Sequence, residues 1–369
     1  MVSNPMTRAN IIDSINSIIG STLTTTWTDA KINLLIDNAL SEVSEAVPYV
    51  MRDVYQIETR RGIATSTSTN NLVDATNAQF VSAAADVGKV VYNTTDKTWA
   101  QIQSFSSTSQ VGLTADIMAA GEGYEVYNKN CWNKYQINIE DSGDFLGVIG
   151  AVYPVEPNLM FSQDNMHNVK LLSQNRIAEL DTWWVDNTKS TTASKDVHLY
   201  LARQHVLNVE TDLVGAATAG GTAGDTSLAF DDLTTAGTYY KNSLFYFTLI
   251  DAVVMNSRLT YRLTADVTLS SGAGTLKFFP ALECNTTDND TIQFIASTLT
   301  PDLERILIDI VTGQILMAEG ISTVNNSNKG GPTVGPTTFN IGRDILKAAR
   351  QQLKALIDVD LRSSMIWSR

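Results

Sequence analysis

Three histidines, two cysteines and a few acidic clusters are the residues of this chain best suited to chemistry. His198 and His205 are seven apart, and an odd separation along a strand places them on opposite faces, so they do not converge on a metal. His167 falls in a polar loop. Cys131 and Cys284 have no C-x-x-C spacing and read as reduced, half-buried packing residues. Neither H-E-x-x-H nor G-x-S-x-G occurs. The string from Gly221 to Ser227 faintly resembles a phosphate loop, but it lacks the lysine and no helical pattern follows. Asp288, Asn289 and Asp290 could offer oxygens to calcium, yet the rest of a calcium loop is missing, so a solvated turn is expected. Glu140, Asp141 and Asp144, and the pair Asp231 and Asp232, are carboxylates that glycoside hydrolysis would need across a cleft; surface turns are expected instead. Trp183 and Trp184 could stack on a sugar, although a strand sends neighbours to opposite faces, which favours packing. The expectation is therefore no catalytic residue, no cofactor, no metal and no enzyme.

The elements that would position any site follow a simple order. Ile11, Ile15, Ile18 and Ile19 share one helical face, with Thr7 as N-cap and Gly20 as the stop. A second helix has Thr28 as cap and a stripe of Ile32, Leu35, Ile36, Ala39, Leu40, Val43 and Val47, ended by Pro48. The period then changes to two. Strands are predicted at 54–58, 89–92, 99–103, 110–113 and 124–127, then at 136–139, 147–153, 169–172, 180–185 and 197–202. Residues 215–224, rich in Gly and Ala, read as a linker. A third β block follows at 227–230, 243–249, 260–263, 275–279 and 291–295.

Thr300 caps a further helix, with Pro301 at its first position and Gly320 as its end. A polar loop over 322–338 leads to a last helix capped by Asn340, and 362–369 forms a short tail. Each terminal helix carries an apolar stripe that needs a partner, and the simplest partner for each set is the other. The expected fold is α+β: a discontinuous helical bundle from the N- and C-terminal segments, with inserted antiparallel β domains built as small barrels or a sandwich. The expected domains are 1–50, 51–130, 131–214, 215–299 and 300–369, the last packing with the first.

Net charge is −13. That disfavours a sequence-reading nucleic-acid binder, which needs a basic face for phosphates, and suits a surface that DNA slides past. The charge is uneven. Residues 300–369 hold eight Lys/Arg and seven Asp/Glu, a net of +1, so residues 1–299 carry −14. No apolar run is long enough to span a membrane, and Met1 to Asn10 lacks a signal-peptide pattern, so synthesis in a cytoplasm is expected.

With these patterns in order, the chain resembles the head-to-tail adaptor (connector) proteins of short-tailed bacteriophages. The resemblance is carried by Asn38-Ala39-Leu40-Ser41-Glu42 ahead of Pro48, and by Asp86-Val87-Gly88-Lys89-Val90-Val91-Tyr92-Asn93 followed by Trp99-Ala100-Gln101-Ile102. Leu199-Tyr200-Leu201-Ala202-Arg203-Gln204-His205 adds to it, as does the C-terminal layout of a helix starting near Glu304, a Gly/Asn loop, Gly342, a long helix and an Arg-containing tail. It implies a virion protein forming a ring, commonly of twelve subunits, between the portal protein and a tail or nozzle protein, with viral DNA passing through unread. It also implies a C-terminal contact with the portal, for which Arg343, Lys347, Arg350, Lys354, Arg362, Ile366, Trp367 and Arg369 are the candidates. The alternative is a carbohydrate- or host-surface-binding tail protein, resting on the β content and Trp183-Trp184.

Overall fold

A computed structural model describes the chain except for residues 1–5, 21–25, 133–135, 153–165, 173–176, 181–195, 223, 235, 249–259, 283–284, 326–333 and 367–369. In chain order the elements are helices α1 (Arg8–Ile19) and α2 (Asp29–Ala46), then strands β1 (Tyr49–Gln56), β2 (Glu58–Ile63) and β3 (Asn71–Val73). A short helix α3 (Ala83–Asp86) precedes β4 (Val90–Asn93), β5 (Trp99–Ser107), β6 (Gln110–Leu113), β7 (Gly123–Tyr127), β8 (Gln136–Asn138) and β9 (Gly147–Val152). Next come β10 (Met166–His167), β11 (Val169–Leu172), β12 (Ile177–Leu180), β13 (Asp196–Arg203), β14 (Val214–Ala217), β15 (Ser227–Asp231), β16 (Thr238–Tyr239) and β17 (Leu244–Thr248). The order closes with β18 (Tyr261–Leu263), β19 (Val267–Thr268), β20 (Gly274–Phe279), β21 (Thr291–Phe294) and helices α4 (Pro301–Asn325) and α5 (Val334–Ile366). The protein is mixed α+β, with antiparallel pairing throughout the described registers.

The chain divides into two compact units. One is Met1–Val50 with Ala202–Arg369, and the other is Met51–Leu201.

In the first unit, α1, α2, α4 and α5 share one apolar cluster. Ile11 and Ile15 come from α1, Ile32, Ile36 and Val43 from α2, Leu303, Ile306, Leu307 and Ile310 from α4, and Ala349 and Leu353 from α5. Thr7 caps α1 reciprocally with Asn10, and Gly20 ends it at φ 79°. Thr28 sits at the N-cap of α2, but its hydroxyl makes no capping bond there.

The second part of this unit is a closed six-stranded barrel, β14-β15-β20-β18-β17-β21. Its interior is aromatic. Phe245 lies 5.5 Å from Phe294 and 5.6 Å from both Tyr261 and Phe278, while Tyr239 stacks on Phe294 at 4.3 Å.

That barrel corrects the expected linker. Residues 214–217 are β14, hydrogen-bonded to both β15 and β21. A Cβ on Gly215 would stand 2.8 Å from the Asp231 carbonyl, and one on Gly220 would stand 2.7 Å from that of Thr286. The glycines serve close backbone approach rather than flexibility, two uses that composition alone does not separate.

In the second unit the six-stranded sheet runs β2-β7-β4-β5-β6-β3, and an isolated Ser66–Val73 bridge ties the chain after β2 to the opposite edge strand. Alternation along β5 sends Ala100 and Ile102 into the core with Val91, Val126 and Tyr124. Trp99 faces the other way, between Tyr92 at 4.3 Å and Tyr127 at 5.7 Å. Two buried carboxylates organise this module. Asp74 accepts bonds from the Tyr124 hydroxyl at 2.6 Å, the Asn77 amide at 2.9 Å and the Asn77 side chain at 2.8 Å. Asp86 pairs with Arg60 and, at 3.3 Å, with Lys89, and accepts from the Val81 amide at 2.7 Å. Burial, reinforced by Arg60, lowers the Lys89 pKa to about 8. The remaining strands form a four-stranded sheet, β1-β13-β9-β10, and a three-stranded one, β11-β12-β8. β12 ends at Leu180, so the strand expected at 180–185 lies mostly outside the described residues.

Candidate functional site

None of the groups with catalytic potential forms a reacting constellation in the described residues. His205 is buried beyond the end of β13. Its Nε2 is 2.8 Å from the Val47 carbonyl and its Nδ1 is 3.0 Å from the Thr298 hydroxyl. The Val47 carbonyl can only accept, so Nε2 carries a hydrogen, and the Thr298 hydroxyl, which accepts from the Val206 amide at 2.9 Å, stands at Nδ1. Burial keeps the His205 pKa below the usual histidine value. His198 is on β13, and His167 is on β10, paired with Ala151, rather than in a loop.

Cys131 is fully buried, not half-buried. Its thiol bonds the Lys129 carbonyl at 3.2 Å, and burial pushes its pKa up to about 12. Asp288 and Asn289 form an exposed turn as expected, whereas Asp290 is buried and accepts the Thr287 amide at 2.7 Å. Glu140 and Asp141 sit in an exposed 3-10 turn. No group of three or more potential metal ligands occurs among the described residues. Cys284 and the pair Trp183 and Trp184 lie outside them.

Six of the eight predicted contact residues lie on α5. This helix starts at Val334, six residues before the expected cap Asn340, because Pro336 falls in the first turn, where a missing amide costs little. It also continues through Ile366, so the expected tail is helical up to that point. Arg343, Lys347, Arg350 and Lys354 recur at spacings of four, three and four, which places all of them on one stripe of the helix. All four are exposed. Arg350 is gripped by Glu42 of α2 through two bonds, 2.6 Å from Nε and 3.0 Å from Nη2, and is held more firmly protonated for it. Arg343 meets only its neighbour Asp344, at 3.3 Å. Lys347 and Lys354 have no ion-pair partner among the described residues. Arg362 and Ile366 belong to the last turns of α5, and Trp367 and Arg369 lie outside the described residues.

Glycines hold α5 against α4. A Cβ on Gly313 would meet the Gly342 carbonyl at 2.9 Å, one on Gly342 would meet the Gly313 carbonyl at 2.7 Å, and one on Gly320 would meet the Phe339 amide at 2.6 Å. Gly320 therefore lies inside α4 as a packing residue and does not end the helix, which runs to Asn325. Beyond this seam Ile321 and Ile341 are half-exposed, at 52% and 51%. The sequence signal was present, since an isolated glycine inside an apolar helical run usually marks close packing.

The opposite partner of α2 is α1. Arg8 pairs with Asp37 and bonds Asn33 at 3.2 Å. Beside α1 lies an open groove of about 700 Å3 lined by Met6, Thr7, Asn10, Asp13, Ser14, Thr211 and Leu213. The buried Glu304 of α4 anchors this edge by accepting the Met6 amide at 2.9 Å. Asp13 and Gly313 were not singled out from sequence, and Glu42, Gly320 and Gly342 were named without these contacts; the Glu42–Arg350 pair spans 308 positions and leaves no local trace. No helix among the described residues is long and apolar enough to cross a membrane. The chain matches no family model, and no curated protein sequence matches it.

Proposed function

We propose that this chain is a non-enzymatic structural subunit of a tailed-phage virion, the ring-forming adaptor that joins the portal to the tail and lines the DNA channel. The observation that carries the reading is the basic stripe of α5 on an otherwise acidic chain. An exposed helix whose cations line up is a surface for another macromolecule, and Lys347 and Lys354, with no ion-pair partner among the described residues, suit acidic ones. The long-range order of helices, β modules and helices agrees with the adaptor resemblance.

In this reading the helices from both chain ends form one bundle that serves as scaffold. α5 and the residues after it, with Arg343, Lys347, Arg350, Lys354, Arg362, Ile366, Trp367 and Arg369, supply the portal contact. DNA passes without sequence-specific binding, and no cofactor takes part.

Mass photometry of the purified chain, alone and mixed with portal protein, tests the function. A ring-mass species or a complex with the portal is expected. A three-fold particle that binds glycans on an array, or a monomer with measurable turnover, would overturn the reading. Chemical crosslinks from Lys31 to Lys347 or Lys354 are expected from the bundle.

A further inference from the structure

We infer that the basic stripe of α5 docks on the α1 flank of a second copy of this chain, in a head-to-tail contact. The inference rests on the adaptor reading and names the partner of the same surface. The geometry of α2 carries it. Asp37 holds Arg8 of α1 and Glu42 holds Arg350 of α5. Five residues along a helix amount to a rotation of about 140°, so α1 and α5 lie on opposite flanks of α2.

The two flanks differ in charge. The α5 flank exposes Arg343, Lys347 and Lys354. The α1 flank offers the open groove, with Asp13 as an exposed carboxylate and Met6 and Leu213 as apolar lining. On α1 itself Arg8 is taken up by Asp37 of α2, which leaves Asp13 as the open charge of that helix.

Flanks that face away from each other cannot neutralise one another within a chain, but they can between chains. A two-fold dimer through the α5 stripe would set cations against cations, which is unfavourable by several kcal/mol at a close interface. A contact made from two different surfaces repeats, and it ends only when the rotation closes a ring. The eight candidates then divide. Arg343, Lys347 and Lys354 serve the neighbouring copy, Arg350 stays with Glu42 of its own chain, and Arg362, Ile366, Trp367 and Arg369 remain for the portal.

The test is charge reversal in the full chain, read by sedimentation velocity at low salt. K347E/K354E and D13K alter exposed positions, so the far-ultraviolet circular dichroism of each variant is expected to match wild type. Each variant alone is expected to lose self-association by about a hundredfold, the equivalent of roughly 3 kcal/mol. An equimolar mixture of the two is expected to regain it, because each reversed surface then meets its complement. If wild type assembles and the variants assemble equally well, or if the mixture fails to recover, the head-to-tail contact is overturned and the ring reading stands. If wild type stays monomeric at every concentration, both fall.

Discussion

The two units are stabilised by different chemistry. In the first, the barrel interior is a cluster of aromatic rings around Phe245, and the helices share an apolar cluster. In the second, the six-stranded sheet has an apolar face too, but its loops are tied by two buried carboxylates, Asp74 and Asp86, and by the cations Arg60 and Lys89. Aromatic packing carries no titrating group, so the cost of losing a ring is the same at any pH. A buried ion cluster responds to the charge of its members as well, because each is costly without the others. The contrast makes separate demands on each unit that mutation and pH can probe.

The largest effect is expected from Phe245→Ala. It removes the ring that touches Tyr261, Phe278 and Phe294, at a cost of about 4 kcal/mol. Urea titrations should give the same loss at pH 7 and pH 5, and a loss that changes with pH would break the contrast. Next is Asp86→Asn, which leaves Arg60 and Lys89 facing each other without the carboxylate, at a cost of about 3 kcal/mol to the second unit. Adding Lys89→Met should recover part of it, and a strictly additive double mutant would refute the coupling.

Acid should affect the units in a fixed order. Burial keeps His205 neutral, with its folded pKa below 6.5, so the unfolded chain binds the extra proton and first-unit stability falls as pH drops below that value. Asp74 and Asp86 are buried, which alone would raise them. Their hydrogen bonds, with Arg60 and Lys89 for Asp86, outweigh this and place both below 3.8, so the second unit loses their contribution only under that pH. Hydrogen exchange at pH 5 should show the segments around Val47 and Thr298 loosening first, and His205→Gln should remove that dependence. The smallest effect is expected from Glu42→Gln, about 0.5 kcal/mol, since the Arg350 pair lies at the surface and is screened. A loss several times larger in 0.15 M salt would show the pair to be part of the core.

Much of the architecture was readable because alternation and helical stripes are local. β5, β6, β9, β11, β15 and β20 fall within a residue or a few of their predicted positions, as do α1, α2 and the start of α4. What was not readable depended on neighbours distant in sequence. β14 looked like a linker because Gly and Ala signal flexibility unless another backbone is pressed against them. α5 was started late because Gly335 and Pro336 resemble breakers. Arg343, Lys347, Arg350 and Lys354 were read as residues of a basic helix, and the structure has them on α5, but their common stripe required the helix to be continuous. The separate position of Arg350, held across to α2, required Glu42.

The glycine seam between α4 and α5 has a mechanical consequence. Backbones that interlock at Gly313, Gly320 and Gly342 leave no room for one helix to slide along the other, since any axial shift drives a carbonyl into a peptide plane. The hairpin is therefore a strut. A load on the seam half of α5 is passed to α4 and to the apolar cluster that both helices share.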